Sequence, residues 1–268
     1  EADNAVKDAE KAKEAADAAV EAAQNAVKEA QKAVDASKAK AQEQWDLGSV
    51  GYFQLRGSTA ALEVFTNTER KASDGSSYLD PTLNAGENDA RSLENMKFSI
   101  EQLAAINEKR QKDGGIDGRK LSILKVDDFV MAVAQANANW SAANMNHSFA
   151  IQPPWENLSF GTKTSEAALK RWWDNEKVYF DDLRAQGYKT REEMEKAPNP
   201  DNKQVGHYLN LVDDLMWGYS WSAKDRKVMG YAFRPLDSAY RYVQSLDLST
   251  EITGTAYSVE KYQSDFME

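Results

Sequence analysis

The chain contains no cysteine, which excludes disulfide bonds, thiolate catalysis and thiolate-bound metals. Only two histidines occur in 268 residues, so any imidazole chemistry depends on His147 and His207. No apolar run approaches the length of a membrane-spanning helix. Because the chain begins at Glu1 and not at Met, we expect a mature or excised fragment, with any signal peptide or wall anchor lying outside it.

Basic residues are also in deficit, because 33 Lys and Arg stand against 43 Asp and Glu, a net charge of −10. Binding to nucleic acid needs a basic face, so we expect no electrostatic attraction to DNA or RNA. Docking on an anionic membrane surface is disfavoured for the same reason. A hydrophobic content of 41% is still enough to build a core.

Residues 1–45 lack glycine and proline and are rich in Ala, Lys, Glu and Val. Val6, Val20, Val27 and Val34 share one heptad position, which Lys13 interrupts, and alanines line the adjacent positions. This pattern predicts one long helix with a seam of small residues. We interpret it as a stalk segment that pairs with another helix; the alternative is a solvated helix that folds back on its own domain.

Residues 46–84 form a predicted connector, with turn signals at residues 73–77 and 80–81 and a short helix near residues 60–65. Tyr52, Phe53, Leu55 and Phe65 are apolar enough to need burial. We therefore expect this segment to pack on the domain that follows it.

Residues 85–268 have the composition of a globular domain, and three amphipathic helices are predicted in it. The first helix carries Leu93 to Ile106 and stops near Gly114. The second is capped by Asp127 or Asp128 and leads to His147, and the third runs from Thr164 or Ser165 to about Ala185. A short helix or turn carries His207, and strands are expected at residues 215–222 and 228–233. The tail beyond residue 240 is interpreted as an edge strand or a helix with surface packing.

The third helix combines a carboxylate with an aromatic stripe. Glu176 lies four residues after Trp172 and three before Tyr179, where a charge needs a partner or a ligand. The spacing of Trp172, Trp173, Trp217 and Trp221 favours the core over a sugar- or lipid-binding groove. Asp213-Asp214 is interpreted as a turn.

Three motifs follow one another in the chain: His147-Ser148 with Glu156-Asn157-Leu158 and Gly161, then Trp173 to Tyr179, then Gly206-His207-Tyr208 with Asn210. In this order they resemble the CAP superfamily, which comprises the cysteine-rich secretory proteins, antigen 5 and pathogenesis-related-1. The resemblance covers roughly residues 87–233 and implies an α+β fold, a three-layer α-β-α sandwich. With its Ala-rich helix, the whole chain is similar to cell-surface proteins of Gram-positive bacteria, including surface exclusion proteins.

The resemblance also implies a central cavity in which His147, Glu156, Glu176 and His207 form a tetrad. The chain departs from the family pattern at Trp155, where glycine is usual, so the indole is expected to narrow or cover the cavity. It departs again at residues 209–212, and the disulfides of the animal and plant members have no counterpart here.

Two neutral imidazoles with two carboxylates make a plausible site for Zn²⁺ or another divalent cation. His147 and His207 are the predicted metal ligands, while Glu156 and Glu176 orient the rings or one of them serves as a general base. The alternative is a buried His–Glu network that holds the loops together. Ser148, although adjacent to His147, is not a nucleophile signal.

From these patterns we expect an extracellular, cell-surface or cell-wall module, without enzymatic activity, that serves adhesion or another interaction. Its partner would be a host or bacterial surface protein or a glycan. The alternatives are a metal-dependent hydrolase, acting on peptide or nucleic acid at the tetrad, and a lipid or sterol carrier.

Overall fold

A computed structural model describes residues 2–212 and 225–268. The chain divides into two compact units, Glu1–Asp46 and Leu47–Glu268. The first unit is the helix α1 (Ala2–Asp46), which contains no buried residue. The valines of its predicted seam, Val6, Val20, Val27 and Val34, are between 47 and 69% exposed. The long N-terminal helix is therefore observed, and its pairing with a second helix stays a prediction.

The second unit mixes helices and strands. Its helices are α2 (Ser49–Leu55), α3 (Thr59–Thr66), α4 (Leu93–Asp113), α5 (Asp128–Asn144), α6 (Ser165–Leu169), α7 (Glu176–Ala185), α8 (Arg191–Glu195), α9 (Gly206–Leu211) and α10 (Val259–Met267). A 3₁₀ turn spans Ile116–Gly118, and a π-helical segment, Lys170–Asn175, joins α6 to α7. The strands are β1 (Lys125–Asp127), β2 (Trp155–Phe160), β3 (Val228–Pro235), β4 (Tyr242–Ser249) and β5 (Ala256–Tyr257).

The strands form one mixed sheet in the order β2-β4-β3-β1-β5. Only β1 and β3 run parallel; the other neighbouring pairs are antiparallel. The register of β2 against β4 sets Glu156 opposite Asp247. Directly paired residues share a face of the sheet, so this register brings two carboxyl groups together.

The three predicted helices begin at polar caps, of which Asp127 and Thr164 were expected from the sequence. The Ser92 side chain accepts from the amide of Asn95 at the start of α4, and Asp127 caps α5 in the same way. Thr164 caps the α6–π–α7 run. Each cap provides an acceptor for one of the backbone amides that a helix start leaves without a partner.

The segment that follows α1 contributes to the main core. Phe53 and Ala61 are fully buried in α2 and α3, and Tyr78 is 1% exposed. Leu55 is instead 75% exposed, so the expectation of burial was wrong for this residue. Arg56 stands beside it in the chain and forms ion pairs with Asp128 and Asp265, which connect α2 to the N-terminus of α5 and to α10.

Two features of the sheet differ from the sequence-based expectation. Residues 155–160, which the sequence did not indicate as a strand, form strand β2, and the tail strand β4 lies inside the sheet between β2 and β3. The tail therefore matches the expectation only in part: β4 is an inner strand, whereas β5 lies at the edge of the sheet beside β1 and α10 is a helix. Trp172 and Trp173 are core residues, 2% and 1% exposed. The strand expected at residues 215–222, the turn at Asp213-Asp214, and Trp217 and Trp221 lie outside the described residues.

No helix in the described ranges combines the length and the apolar character that crossing a membrane requires.

Candidate functional site

His147 follows the end of α5, where the chain leaves the helix abruptly. Met145, the C-cap residue, adopts the left-handed conformation with φ of 54°, which turns the backbone away from the helix axis. His147 lies two residues later with a side chain that is 28% exposed. The sequence predicted a capped helix that ends shortly before His147, and α5 has this arrangement.

Glu156, the second residue of β2, is the partner of His147. The His147 Nδ1 to Glu156 Oε2 distance is 2.7 Å, and the Glu156 side chain is only 8% exposed. The carboxylate therefore meets the imidazole at the rim of the sheet, held on a strand and not on a loop.

Glu176 stands at the junction between the π-helical segment and α7, where it faces inward. Its Oε1 lies 2.5 Å from His207 Nδ1, and its Oε2 accepts the backbone amide of Tyr208 at 3.0 Å. His207 sits in the first turn of α9. One carboxylate therefore holds both the ring of His207 and the backbone that carries it.

The two His–Glu pairs face one another. The ring centroids of His147 and His207 are 6.4 Å apart with an interplanar angle of 34°, and the Trp172 ring lies 6.1 Å from His207. The structure thus brings all four predicted tetrad residues together as two pairs. It does not direct the carboxylates at a common centre, because each carboxylate contacts an imidazole instead.

The hydrogen bonds define which nitrogen of each neutral ring is free. An ionised carboxylate only accepts, so Nδ1 of each imidazole must carry the proton that it donates. Nε2 of the neutral ring then keeps its lone pair, which is the state that binds a metal ion or accepts a proton. The Nε2 atoms of His147 and His207 are therefore the atoms of this site that can bind a metal ion or accept a proton.

A cavity of about 660 Å³ opens at the two histidines. Trp155 and Tyr179 contribute aromatic side chains to its lining, and Glu156 lines it as well. The indole of Trp155 is itself backed by the Arg226 guanidinium, 3.8 Å from the ring centroid. A second cavity of about 460 Å³ adjoins it and shares His147, Gln204 and His207. The tetrad therefore lies where two cavities meet.

The Ser148 hydroxyl bonds to α5 and not to a histidine. Its hydroxyl donates to Asn137 Oδ1 at 2.8 Å, and it is 1% exposed. A serine nucleophile paired with His147 consequently has no support in this geometry.

Behind Glu156 lies a polar group that sequence reasoning missed: Ser245, Asp247 and Asn137. Ser245 Oγ is 2.9 Å from Glu156 Oε1, and Asn137 Nδ2 donates to Asp247 Oδ1 at 3.1 Å. Burial, with the charge of Glu156 as a second cause, raises the pKa of Asp247 well above its usual value. In the sequence, Ser245 and Asp247 are two polar residues at strand spacing within an apolar run. Their role could have been inferred only if the tail had been recognised as an inner strand.

In the described parts of the chain, no three His, Asp or Glu side chains converge as a group able to hold a metal ion. No family model matches this sequence, and the comparisons with curated proteins and with solved structures found no match.

Proposed function

We propose that residues 47–268 form a CAP-type α-β-α module that binds a divalent metal ion, Zn²⁺ being the best candidate, through Nε2 of His147 and of His207. The observation that carries the proposal is the use of Nδ1 by a carboxylate in both rings. Carboxylate–histidine pairs of this kind orient metal-binding imidazoles and raise their basicity. The order of the three motifs along the chain supports the CAP assignment.

The residues present fit such an ion with two protein ligands, and water would complete its coordination. Zn–N bonds are about 2.0–2.1 Å long, so one ion shared by both rings would need their centroids slightly closer than the observed 6.4 Å. A small movement of the segment carrying His147 would provide this. A bound ion would supply a positive centre for an oxygen of a partner molecule.

Zinc titration of the purified chain, followed by calorimetry, tests this proposal. We expect binding that weakens about 10-fold or more in His147→Gln and in His207→Gln, because each variant removes one nitrogen ligand. Glu195→Gln is the matched control, since Glu195 lines the same cavity but bonds to Arg191 and not to a histidine. Unchanged binding in the double histidine variant, or no binding by the parent chain, would contradict the proposal.

The module would act at the cell surface, in adhesion or a related interaction, with α1 as part of a stalk. What supports this is the uncovered apolar seam of α1, whose opposite face carries an exposed i,i+4 hydrogen bond, Gln42 to Asp46 at 2.7 Å. A lone helix of this type is fully solvated, whereas a paired one buries its valines and alanines. Metal-dependent hydrolysis and lipid binding stay as the alternative predictions.

Cysteine labelling on intact producing cells tests both the location and the pairing, because the natural chain has no cysteine. Asn25→Cys lies opposite the seam, and we expect it to react with a membrane-impermeant maleimide. Val20→Cys lies in the seam, and we expect it to react several-fold more slowly because a partner helix covers it. An unreactive Asn25→Cys that becomes reactive after lysis would contradict surface location, and equal rates at the two positions would contradict pairing.

A further inference from the structure

Ser245 contacts two carboxyl groups behind the tetrad, Glu156 and Asp247, and their protonation cannot be deduced from the sequence. Ser245 and Asp247 are two residues apart on β4, so both side chains point to the same face of the sheet. On that face Glu156 is the register partner of Asp247. Ser245 Oγ lies 2.9 Å from Glu156 Oε1 and 2.7 Å from Asp247 Oδ2.

A hydroxyl group has one hydrogen, so Ser245 donates to one of these two carboxyl oxygens and not to both. If Glu156 and Asp247 were both ionised, the second contact would set lone pairs against each other at hydrogen-bonding distance. One of the two carboxyl groups must therefore carry a proton and donate it to Ser245 Oγ.

The neighbouring contacts identify which carboxyl is protonated. Glu156 borders the cavity and accepts a hydrogen bond from His147 Nδ1 at 2.7 Å. Asp247 is fully buried, and its partners in the described residues are the neutral side chains of Asn137 and Ser245. An isolated charge in such a place is strongly disfavoured.

The hydrogen bonds of Asn137 identify which oxygen of Asp247 bears the proton. Its Oδ1 accepts from Tyr78 and from Ser148, both at 2.8 Å, so its Nδ2 is the group that faces Asp247 Oδ1. Oδ1 of Asp247 is then an acceptor. The proton consequently sits on Oδ2, the atom next to Ser245.

We propose that Asp247 is a neutral carboxylic acid that acts as a positioning residue for Glu156. Asp247 donates to Ser245, and Ser245 is thereby left to donate to Glu156 Oε1, which holds the carboxylate against His147 Nδ1. The titratable groups that face Asp247 are Glu156 on β2 and Tyr78 in the segment before α4. The inference concerns the protein without metal and does not depend on the proposed function.

Carbon NMR of the chain labelled at the aspartate carboxyl carbons tests the protonation directly. We expect the Asp247 signal, identified by its loss in Asp247→Asn, to keep the shift of a protonated carboxyl from about pH 5 to 8. A signal at the ionised position at pH 7 would overturn the proposal. This measurement uses the natural chain, so it does not depend on a variant that folds.

The positioning role is tested by nitrogen NMR of the two histidine rings in the absence of metal. Asp247→Asn offers an amide donor in place of the acid proton, and we expect the His147 ring to keep its Nδ1–H tautomer. Ser245→Ala removes the bridge, and we expect the share of this tautomer to fall, with Ser245→Thr restoring it. A changed His147 ring in Asp247→Asn, or an unchanged one in a folded Ser245→Ala, would overturn the role.

Discussion

Replacing Gly230 with alanine is expected to lower the free energy of unfolding by about 3 kcal/mol, because the change forces two main chains apart. Gly230 lies on β3 beneath α5. A Cβ atom there would stand 2.2 Å from the carbonyl oxygen of Val130 and 2.4 Å from the amide nitrogen of Met131. Backbone atoms cannot rotate away as a flexible side chain can, so the helix must move off the sheet.

Urea denaturation followed by tryptophan fluorescence measures this effect. Gly86→Ala is the matched control, because its Cβ would meet only the Asn84 side-chain oxygen at 3.1 Å, on an exposed turn. We expect the control to stay within about 0.5 kcal/mol of the parent chain. If Gly230→Ala were as stable as Gly86→Ala, the close contact between α5 and β3 would be disproved.

The contact between α5 and β3 matters for the site because α5 carries residues that hold the site in position. Its residue Asn137 orients Asp247, and its C-terminus delivers His147 to the cavity. A displaced helix would move His147 relative to Glu156 on β2. We therefore expect Gly230→Ala to perturb the His147 ring signals as well as stability.

Helices were predictable here because their signals are local. Capping residues such as Ser92 and Thr164, together with three- and four-residue apolar spacing, specify a helix start and its buried face without reference to distant residues. Glu176 was recognised in the same way, as a charge on an apolar face. The grouping of the tetrad came instead from the resemblance to the CAP superfamily, through the order of the three motifs along the chain.

The sheet was less predictable because its signals are not local. Strand β2 reads as a loop, since Trp155 to Phe160 follows two prolines and only pairing with β4 makes it extended. The tail strand has polar residues that sequence reasoning assigns to an edge. In the structure Gln244, Ser245 and Asp247 are fully buried, because each finds a hydrogen-bonding partner: Thr162, Glu156 and Asn137, respectively. Burial of this kind depends on partners that are distant in sequence.

Replacing Glu176 with alanine is expected to destabilise the chain by about 3 kcal/mol and to weaken zinc binding. The Glu176 side chain is 9% exposed, and its carboxylate accepts both from His207 Nδ1 and from the Tyr208 amide. Alanine leaves these two donors without an acceptor in a buried place. The first turn of α9, which carries His207, would then lose its hydrogen bonds to Glu176 of α7.

Glu176→Gln separates the structural effect from the chemical one. The glutamine oxygen can still accept the Tyr208 amide, so we expect a loss of stability below about 1 kcal/mol. Its NH₂ group would face His207 Nδ1 and donate to it, which transfers the ring proton to Nε2 and removes the lone pair there. We therefore expect Glu176→Gln to bind zinc about 10- to 100-fold more weakly although it folds nearly as well as the parent chain. Calorimetry and the nitrogen shifts of His207 measure both quantities, and a folded Glu176→Gln with unchanged zinc affinity would show that His207 Nε2 is not a ligand.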